Sequence, residues 1–403
     1  MIYRPSYMNK LIPYIDTPFI KILSGIRRCG KSTLLKMLMK ELKNRGITDE
    51  QILNYNFDSL QYEHIKTAQT LYAELKNKIL SNKKYYLFFD EIQEVEAWEK
   101  LVNSLALDFN VDIYLTGSNS NLLSSEIATY LTGRYISIKV YPLSFKEFIS
   151  FKKEYTEIKN LHEELVEYIK KGGFPAIHLK EYNTDEVYAI VKDIYNSTIF
   201  TDIVKRNEIR KIDQLERVVK FAFNNVGRTF SGSSISKYLK SENSTINIET
   251  IYNYLKQLEN AFILQRCQRY DLEGKEILKT QEKFYLADTA LRYSVLGYSS
   301  DSIAAMLENI VYIELLSRGY EVYIGKLGQY EIDFIATRQG EKIYIQVSQM
   351  ITEQDTEKRE YGRLLAIKDN HPKYVLRTDS FSGGNYEGIK TLHVADFLIL
   401  ENF

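Results

Sequence analysis

Gly25-Ile26-Arg27-Arg28-Cys29-Gly30-Lys31-Ser32-Thr33 is the stretch on which the reading of this chain turns. It has the spacing G-x-x-x-x-G-K-[ST]. Ahead of it, Phe19-Ile20-Lys21-Ile22-Leu23-Ser24 reads as a short buried strand. Behind it, Thr33-Leu34-Leu35-Lys36-Met37-Leu38-Met39-Lys40-Glu41-Leu42 carries apolar residues at helical spacing. Glycines in such a loop let the backbone wrap a phosphate chain with its N–H groups pointing inward, at the positive end of a helix. Gly25, Arg28, Cys29, Gly30, Lys31, Ser32 and Thr33 are the expected phosphate-binding residues. Lys31 would reach the β- and γ-phosphates and the Ser32 hydroxyl would sit on Mg²⁺. Outside this context the pattern is a glycine-rich turn that binds nothing. Arg27 and Arg28 fit a structural role or a partner contact as well as a phosphate contact.

Further along, Tyr85-Tyr86-Leu87-Phe88-Phe89-Asp90-Glu91 gives five apolar residues, the pattern of a buried parallel strand, with two carboxylates at its carboxyl end. Ligands bind at that end in open α/β sheets. Asp90 is expected to hold Mg²⁺ and Glu91 to polarise the attacking water as general base. Alone, the pair would read as a solvated loop; the phosphate loop upstream makes it catalytic. Val111-Asp112-Ile113-Tyr114-Leu115 is a third strand, ending in Thr116-Gly117-Ser118-Asn119-Ser120. Ser118 and Asn119 there suit a sensor of the γ-phosphate or of the water, the alternative being a turn with helix-capping residues. Arg134, after Gly133, is placed to stabilise transition-state charge within the chain or across a subunit interface, if it is not an ordinary surface arginine.

The chain has 403 residues, which predicts several domains. Its 53 basic and 53 acidic residues cancel, so any nucleic-acid surface must be local. No apolar run approaches 18 residues and the start lacks the layout of a signal peptide, so no membrane partner is expected. Two cysteines, Cys29 and Cys267, are too few for a disulfide framework or a cysteine zinc site and fit a reducing cytoplasm. His162, His178 and His393 fall in unrelated contexts with no zinc spacing. Strand and helix signals alternate over 1–150. A helical connector or lid spans 151–210, and 211–297 reads as three helices and a two-stranded ribbon. Over 298–403 a helix leads into several strands.

The ordered set Gly25 to Ser32, Phe89-Asp90-Glu91-Ile92-Gln93, Leu115 to Ser120, Gly133-Arg134-Tyr135 and Tyr141-Pro142-Leu143-Ser144-Phe145-Lys146-Glu147-Phe148 resembles the prokaryotic AAA-type P-loop ATPases. These carry a C-terminal domain of unknown function that resembles the PD-(D/E)XK nucleases. The resemblance covers essentially the whole chain. It implies an α/β fold with a five-stranded parallel core, ATP and Mg²⁺ as cofactors, and self-association.

In the second half, Ser233-Ser234-Ile235-Ser236-Lys237-Tyr238-Leu239 and Asn247 to Leu258 read as two helices ahead of a ribbon, the layout of a winged helix. Over 231–270, five cations (Lys237, Lys240, Lys256, Arg266, Arg269) face three carboxylates (Glu242, Glu249, Glu259), a net charge of +2. That favours protein packing over DNA, although Arg266 and Arg269 are in a position to touch phosphates. A nuclease of the PD-(D/E)XK type needs an Asp on one strand and Glu/Gln-x-Lys on the next. Asp333 and Gln346 match, with Glu308 on the preceding helix, but Ser348 stands where the lysine belongs. The expectation is a degenerate nuclease-like domain; relocation of the amine, for example to Lys358, has no support in the sequence. The leading function is Mg²⁺-dependent ATP hydrolysis by a switch or motor subunit coupled to the winged-helix and nuclease-like module. The alternatives are a nucleotide-gated DNA-binding or DNA-cleaving effector, and a non-hydrolytic ATP-sensing interaction protein.

Overall fold

Strands that are apolar at consecutive positions need cover on both faces, and the three central strands of the N-terminal sheet have it. In a computed structural model, β1 (Ile20–Ser24) is buried at every position. The structure describes all residues except 81, 124–132, 243, 351–353 and 380–383, and leaves aside the side chains of 121, 123, 279–281 and 354–359. Four further strands, β2 (Ile52–Asn56), β3 (Tyr85–Asp90), β4 (Val111–Gly117) and β5 (Tyr135–Lys139), join β1 in a parallel sheet of order β2-β3-β4-β1-β5. Among the described residues, the α-helices of this unit are α1 (Pro5–Leu11), α2 (Lys31–Asn44), α3 (Ala68–Lys78) and α4 (Trp98–Asp108). Leu71 and Leu75 of α3 and Leu101, Val102 and Leu105 of α4 pack with Leu87, Phe89, Ile113 and Leu115 in one core. Lys21 is the exception in the apolar pattern of β1. Its buried ammonium pairs with Asp112 of β4, which also accepts a bond from the Tyr114 hydroxyl at 3.0 Å.

This strand order decides where the site lies. β4 is inserted between β1 and β3, so the carboxyl ends of three strands meet where the order reverses, the usual ligand crevice of an open α/β sheet. The unit comprises Met1–Val140 with Asn260–Phe262.

The second unit comprises Tyr141–Glu259 and Ile263–Phe403. It starts with α5 (Phe145–Lys152), whose Ser144 and Glu147 form a capping box. Next come α6 (Leu161–Lys171) and α7 (Thr184–Ser197), which continues as a π-helix over Thr198–Lys205. α8 (Ile212–Asn224), α9 (Gly232–Ser241) and α10 (Ile248–Asn260) precede the antiparallel ribbon β6 (Leu264–Asp271) and β7 (Glu276–Leu286). α11 (Thr289–Leu296) and α12 (Ile303–Ser317) then lead to the antiparallel meander β8 (Glu321–Leu327), β9 (Tyr330–Arg338) and β10 (Glu341–Val347). α13 (Gln354–Leu365) crosses to β11 (Lys373–Arg377), parallel to β10; β12 (Gly384–Tyr386), β13 (Ile389–His393) and α14 (Val394–Ile399) end the chain.

The ribbon does not stand alone. β6 also pairs in parallel with β8, from Arg269↔Ile324 to Asp271↔Lys326. The sheet therefore has eight strands, ordered β12-β13-β11-β10-β9-β8-β6-β7, and the expected boundary at 297/298 falls within it. Among the described residues no helix is long and apolar enough to cross a membrane.

Candidate active site

The phosphate-binding loop leaves β1 at Gly25 and enters α2 at Gly30, whose φ of 103° makes it the left-handed N-cap. At Gly25 a side chain has no room, since a Cβ would lie 2.1 Å from the Val140 carbonyl oxygen. Lys31 is buried and its Nζ donates to the carbonyls of Gly25 at 2.9 Å and Ile26 at 3.2 Å, both in the loop it closes. Behind the loop, the buried Arg4 donates to the Cys29 carbonyl at 2.9 Å. Sequence reasoning missed Arg4, because its only signal is a cation in an apolar N-terminal segment. Cys29 itself is buried, and burial pushes its thiol up, which suits packing and not nucleophilic chemistry.

At the end of β3, Asp90 and Glu91 are both buried, and β4 supplies the group that organises them. The Thr116 hydroxyl donates to Asp90 and accepts the Glu91 backbone N–H at 3.0 Å. Glu91 takes up a left-handed conformation, φ 56°, which turns its side chain back toward the loop. Its Oε1 lies 3.7 Å from Lys31 Nζ. Its Oε2 accepts from the Ser118 backbone N–H at 3.2 Å and from the Gln93 carboxamide.

The two carboxyls are driven apart in acidity. Burial raises Asp90 above the usual carboxylate range, with the Thr116 and Ser32 hydroxyls opposing the rise. Burial also acts on Glu91, but the Lys31 ammonium, the Gln93 side chain, Arg27 and the Ser118 side chain together hold it below that range. Of the pair, Glu91 is therefore the one that favours the ionised form a base needs. The Ser32 hydroxyl lies near enough to Asp90 to oppose the rise in its pKa, so the two oxygens suited to one Mg²⁺ face the same place. A hydroxyl and a carboxylate oxygen are a donor set that fits a hard divalent ion.

The other predicted residues divide. Ser118 and Asn119 are buried at the end of β4, where Ser118 bonds Glu91 with its backbone N–H and its side chain. Arg28 is exposed with φ 67°, and Thr33 is exposed on α2. Of the two loop arginines it is Arg27, bonded to Asp58 at 3.3 Å, that faces Glu91 electrostatically. Arg134 is not brought to the site. Its carbonyl accepts the Ile20 N–H at the amino end of β1. At about 3.3 Å per residue that is roughly 15 Å of strand away from the loop, and its side chain is exposed.

In the second unit, Glu308 of α12, Asp333 of β9 and Gln346 of β10 do come together. Asp333 accepts the Val347 N–H at 2.8 Å, and the Gln346 side chain accepts the Asp333 N–H at 3.4 Å. The Ser348 hydroxyl turns away to the Met350 carbonyl. An amine is nevertheless present: Lys283 of β7 lies 2.9 Å from Glu331 Oε1 and 3.6 Å from Glu308 Oε2. Lys283 comes from a strand the sequence assigned to a separate ribbon, so nothing in its spacing pointed here. Burial raises Glu308, and burial with the neighbouring Glu308 raises Asp333. The side chain of Lys358 lies outside the described residues.

Two further expectations meet the structure. Arg266 forks onto Glu259 at 2.8 and 2.9 Å and reaches Glu282 at 3.4 Å, so its guanidinium is occupied by carboxylates. His162 and His393 are not in unrelated places but stack at 3.5 Å between centroids, with Asp396 at 3.4 Å from His162 Nε2. With the planes 15° from parallel, their in-plane lone pairs do not converge on one ion.

Residues 17–149 match the family AAA_14, an AAA domain, and residues 162–302 match DUF8612, a domain of unknown function. A protein of Haemophilus influenzae described as uncharacterized is 42% identical over 400 residues, 99% of each chain. The uncharacterized protein MJ1544 of Methanocaldococcus jannaschii is 34% identical over 366 residues, 87% of this chain and 79% of its own. Among solved structures, the Walker-type ATPase PABY2304 of Pyrococcus abyssi is similar in fold, with a TM-score of 0.52 at 16% identity. The similarity covers 73% of this chain and 96% of that one.

Proposed function

We infer that this chain, which belongs to one family with the Haemophilus influenzae and Methanocaldococcus jannaschii proteins and carries an AAA-type P-loop domain, binds and hydrolyses ATP with Mg²⁺. The observation that carries the reading is the meeting of Lys31, Ser32, Asp90 and Glu91 at the carboxyl end of the sheet, where Thr116 joins the two carboxylate residues. The loop N–H groups and Lys31 bind the β- and γ-phosphates, Lys31 exchanging its loop carbonyls for phosphate oxygens. Ser32 and Asp90 hold Mg²⁺, which when bound neutralises charge on the phosphates. Glu91, ionised and anchored, takes the proton of the attacking water. Arg134, if it acts, acts on the site of a second copy, in keeping with self-association.

The division into core, connector, winged helix and nuclease-like domain, together with a cytoplasmic location, completes this reading. A switch or motor role follows from coupling the nucleotide state to the second unit. The DNA-cleaving alternative has less support, because Ser348 has no amine, Lys283 is engaged by carboxylates and Arg266 is paired. The non-hydrolytic alternative is hard to reconcile with an ionised Glu91 beside the loop. The test is Glu91→Gln in a phosphate-release assay. Turnover should fall about 10²–10⁴-fold, the range of a lost general base, with nucleotide binding kept; unchanged turnover would overturn the reading. Rates with and without duplex DNA at low salt separate the effector alternative.

A further inference from the structure

We propose that Gln93 is a positioning residue for the hydrolytic step: it holds one oxygen of Glu91 so that nucleotide binding frees only the other for water. The inference rests on the reading of Glu91 as general base. Glu91 has two oxygens in different company. Oε2 receives the Gln93 carboxamide and the Ser118 N–H. Oε1 lies 3.7 Å from the Lys31 ammonium. A bound γ-phosphate competes for that ammonium, so Oε1 is the oxygen that is released while Oε2 stays held.

The orientation of Gln93 is built in. The side chain lies against Gly117, where a Cβ would stand 2.5 Å from Gln93 Oε1 and 1.6 Å from Leu122 Cδ1. Turning the carboxamide over would set its oxygen against the Glu91 carboxylate, so the hydrogen-bond network assigns Nε2 to Glu91. The cost of the arrangement is visible: Gln93 Oε1 is buried without a hydrogen-bond donor among the described residues. A residue present only to fill space would not bring an unpaired carbonyl into the interior, where an apolar side chain of the same size serves better. Gln93 reaches Glu91 from only two positions along, over the short turn Ile92–Glu94 that follows the left-handed Glu91.

Two substitutions test this, Gln93→Met, which keeps size without the donor, and Gln93→Glu, which keeps shape but sets a carboxylate against Glu91. Steady-state kinetics and the Kd of a fluorescent ATP analogue are read together, with Trp98 fluorescence as the check that the first unit is folded. The expected result is a fall in kcat of about 10-fold or more in both, deeper for Gln93→Glu, with Kd within about two-fold of wild type. In the double variant Glu91→Gln/Gln93→Met the second change should add nothing, because the residues act as a unit. Both variants within two-fold of wild type in kcat, or Kd worsening in step with kcat, would overturn the proposal. If instead Glu91→Gln itself keeps full turnover, it is the underlying assignment of Glu91 that fails.

Discussion

Replacing Lys283 by Met removes a buried cation while keeping most of its volume, and leaves Glu308, Glu331 and Asp333 facing one another. Deleting one partner of a fully buried ion pair costs about 3–5 kcal/mol. The site is only partly of that kind: the Lys283 side chain is 6% exposed, but those of Glu308 and Glu331 are 19% and 35% exposed. Solvent screening at the two glutamates reduces the expectation to roughly 2–3 kcal/mol. With a urea slope of about 2 kcal/mol/M, the midpoint of the second unit's transition should fall by about 1–1.5 M. The chain has a single tryptophan, Trp98, buried on α4. Its fluorescence therefore follows the first unit, while far-UV circular dichroism follows both. The effect also has a sign with pH. Glu308 and Asp333 already lie above their ordinary values in the folded state, and loss of the ammonium lifts them further. The folded variant then binds more protons than its unfolded chain above about pH 4, so its stability falls as pH rises. The deficit relative to wild type should be smallest near pH 5 and largest at pH 8. Equal dichroism midpoints at pH 8, or a deficit that does not change with pH, would refute the counter-ion role of Lys283.

Gly25→Ala forces a Cβ into the 2.1 Å gap to the Val140 carbonyl, so the loop must shift and ATP-analogue affinity should fall at least about 10-fold; unchanged affinity would mean that the loop tolerates another path. Arg134→Ala should lower turnover by about 10³-fold if the arginine acts across an interface. Mixing it with Lys31→Ala should then restore part of the activity, whereas full activity in Arg134→Ala alone removes the residue from the mechanism. His178 is held neutral by burial, its pKa pushed down to about 4, and pairs with the Gly172 carbonyl at 2.8 Å. The unfolded chain takes up a proton near pH 6.5 and the folded one does not. Stability is therefore lost as pH falls from about 6.5 to 4, by at most about 3 kcal/mol, and His178→Gln should flatten urea midpoints over that window.

The parts of the site that were legible in the sequence are those whose physics is local. Gly25 to Ser32 and the Asp90-Glu91 pair are short segments in which a strand, a turn and a charged group follow one another, so composition and position carry the chemistry together. Lys21 shows the limit within a strand: an interior lysine argues against burial until Asp112, on a neighbouring strand 91 residues away, supplies the counter-charge. Arg134 shows the limit at an edge. Its place in the chain, after the third strand's polar end, suggested a residue near the phosphates. The parallel register of β5 on β1 instead puts it at the amino end of the sheet.

The least legible features are those made by pairing between distant segments. β6 and β8 are neighbours in parallel, and that pairing alone makes one sheet of the ribbon and the C-terminal strands. Once they share a sheet, Lys283 on β7 and Glu331 on β9 meet, although neither residue's own neighbourhood marks it out. The sequence pattern around Ser348 correctly showed the lysine missing from its strand, and the fold supplies an amine from another. That amine is engaged by two glutamates, which is the arrangement of an internal counter-ion. Its purpose can be separated from catalysis by the stability measurement above, without reference to any substrate.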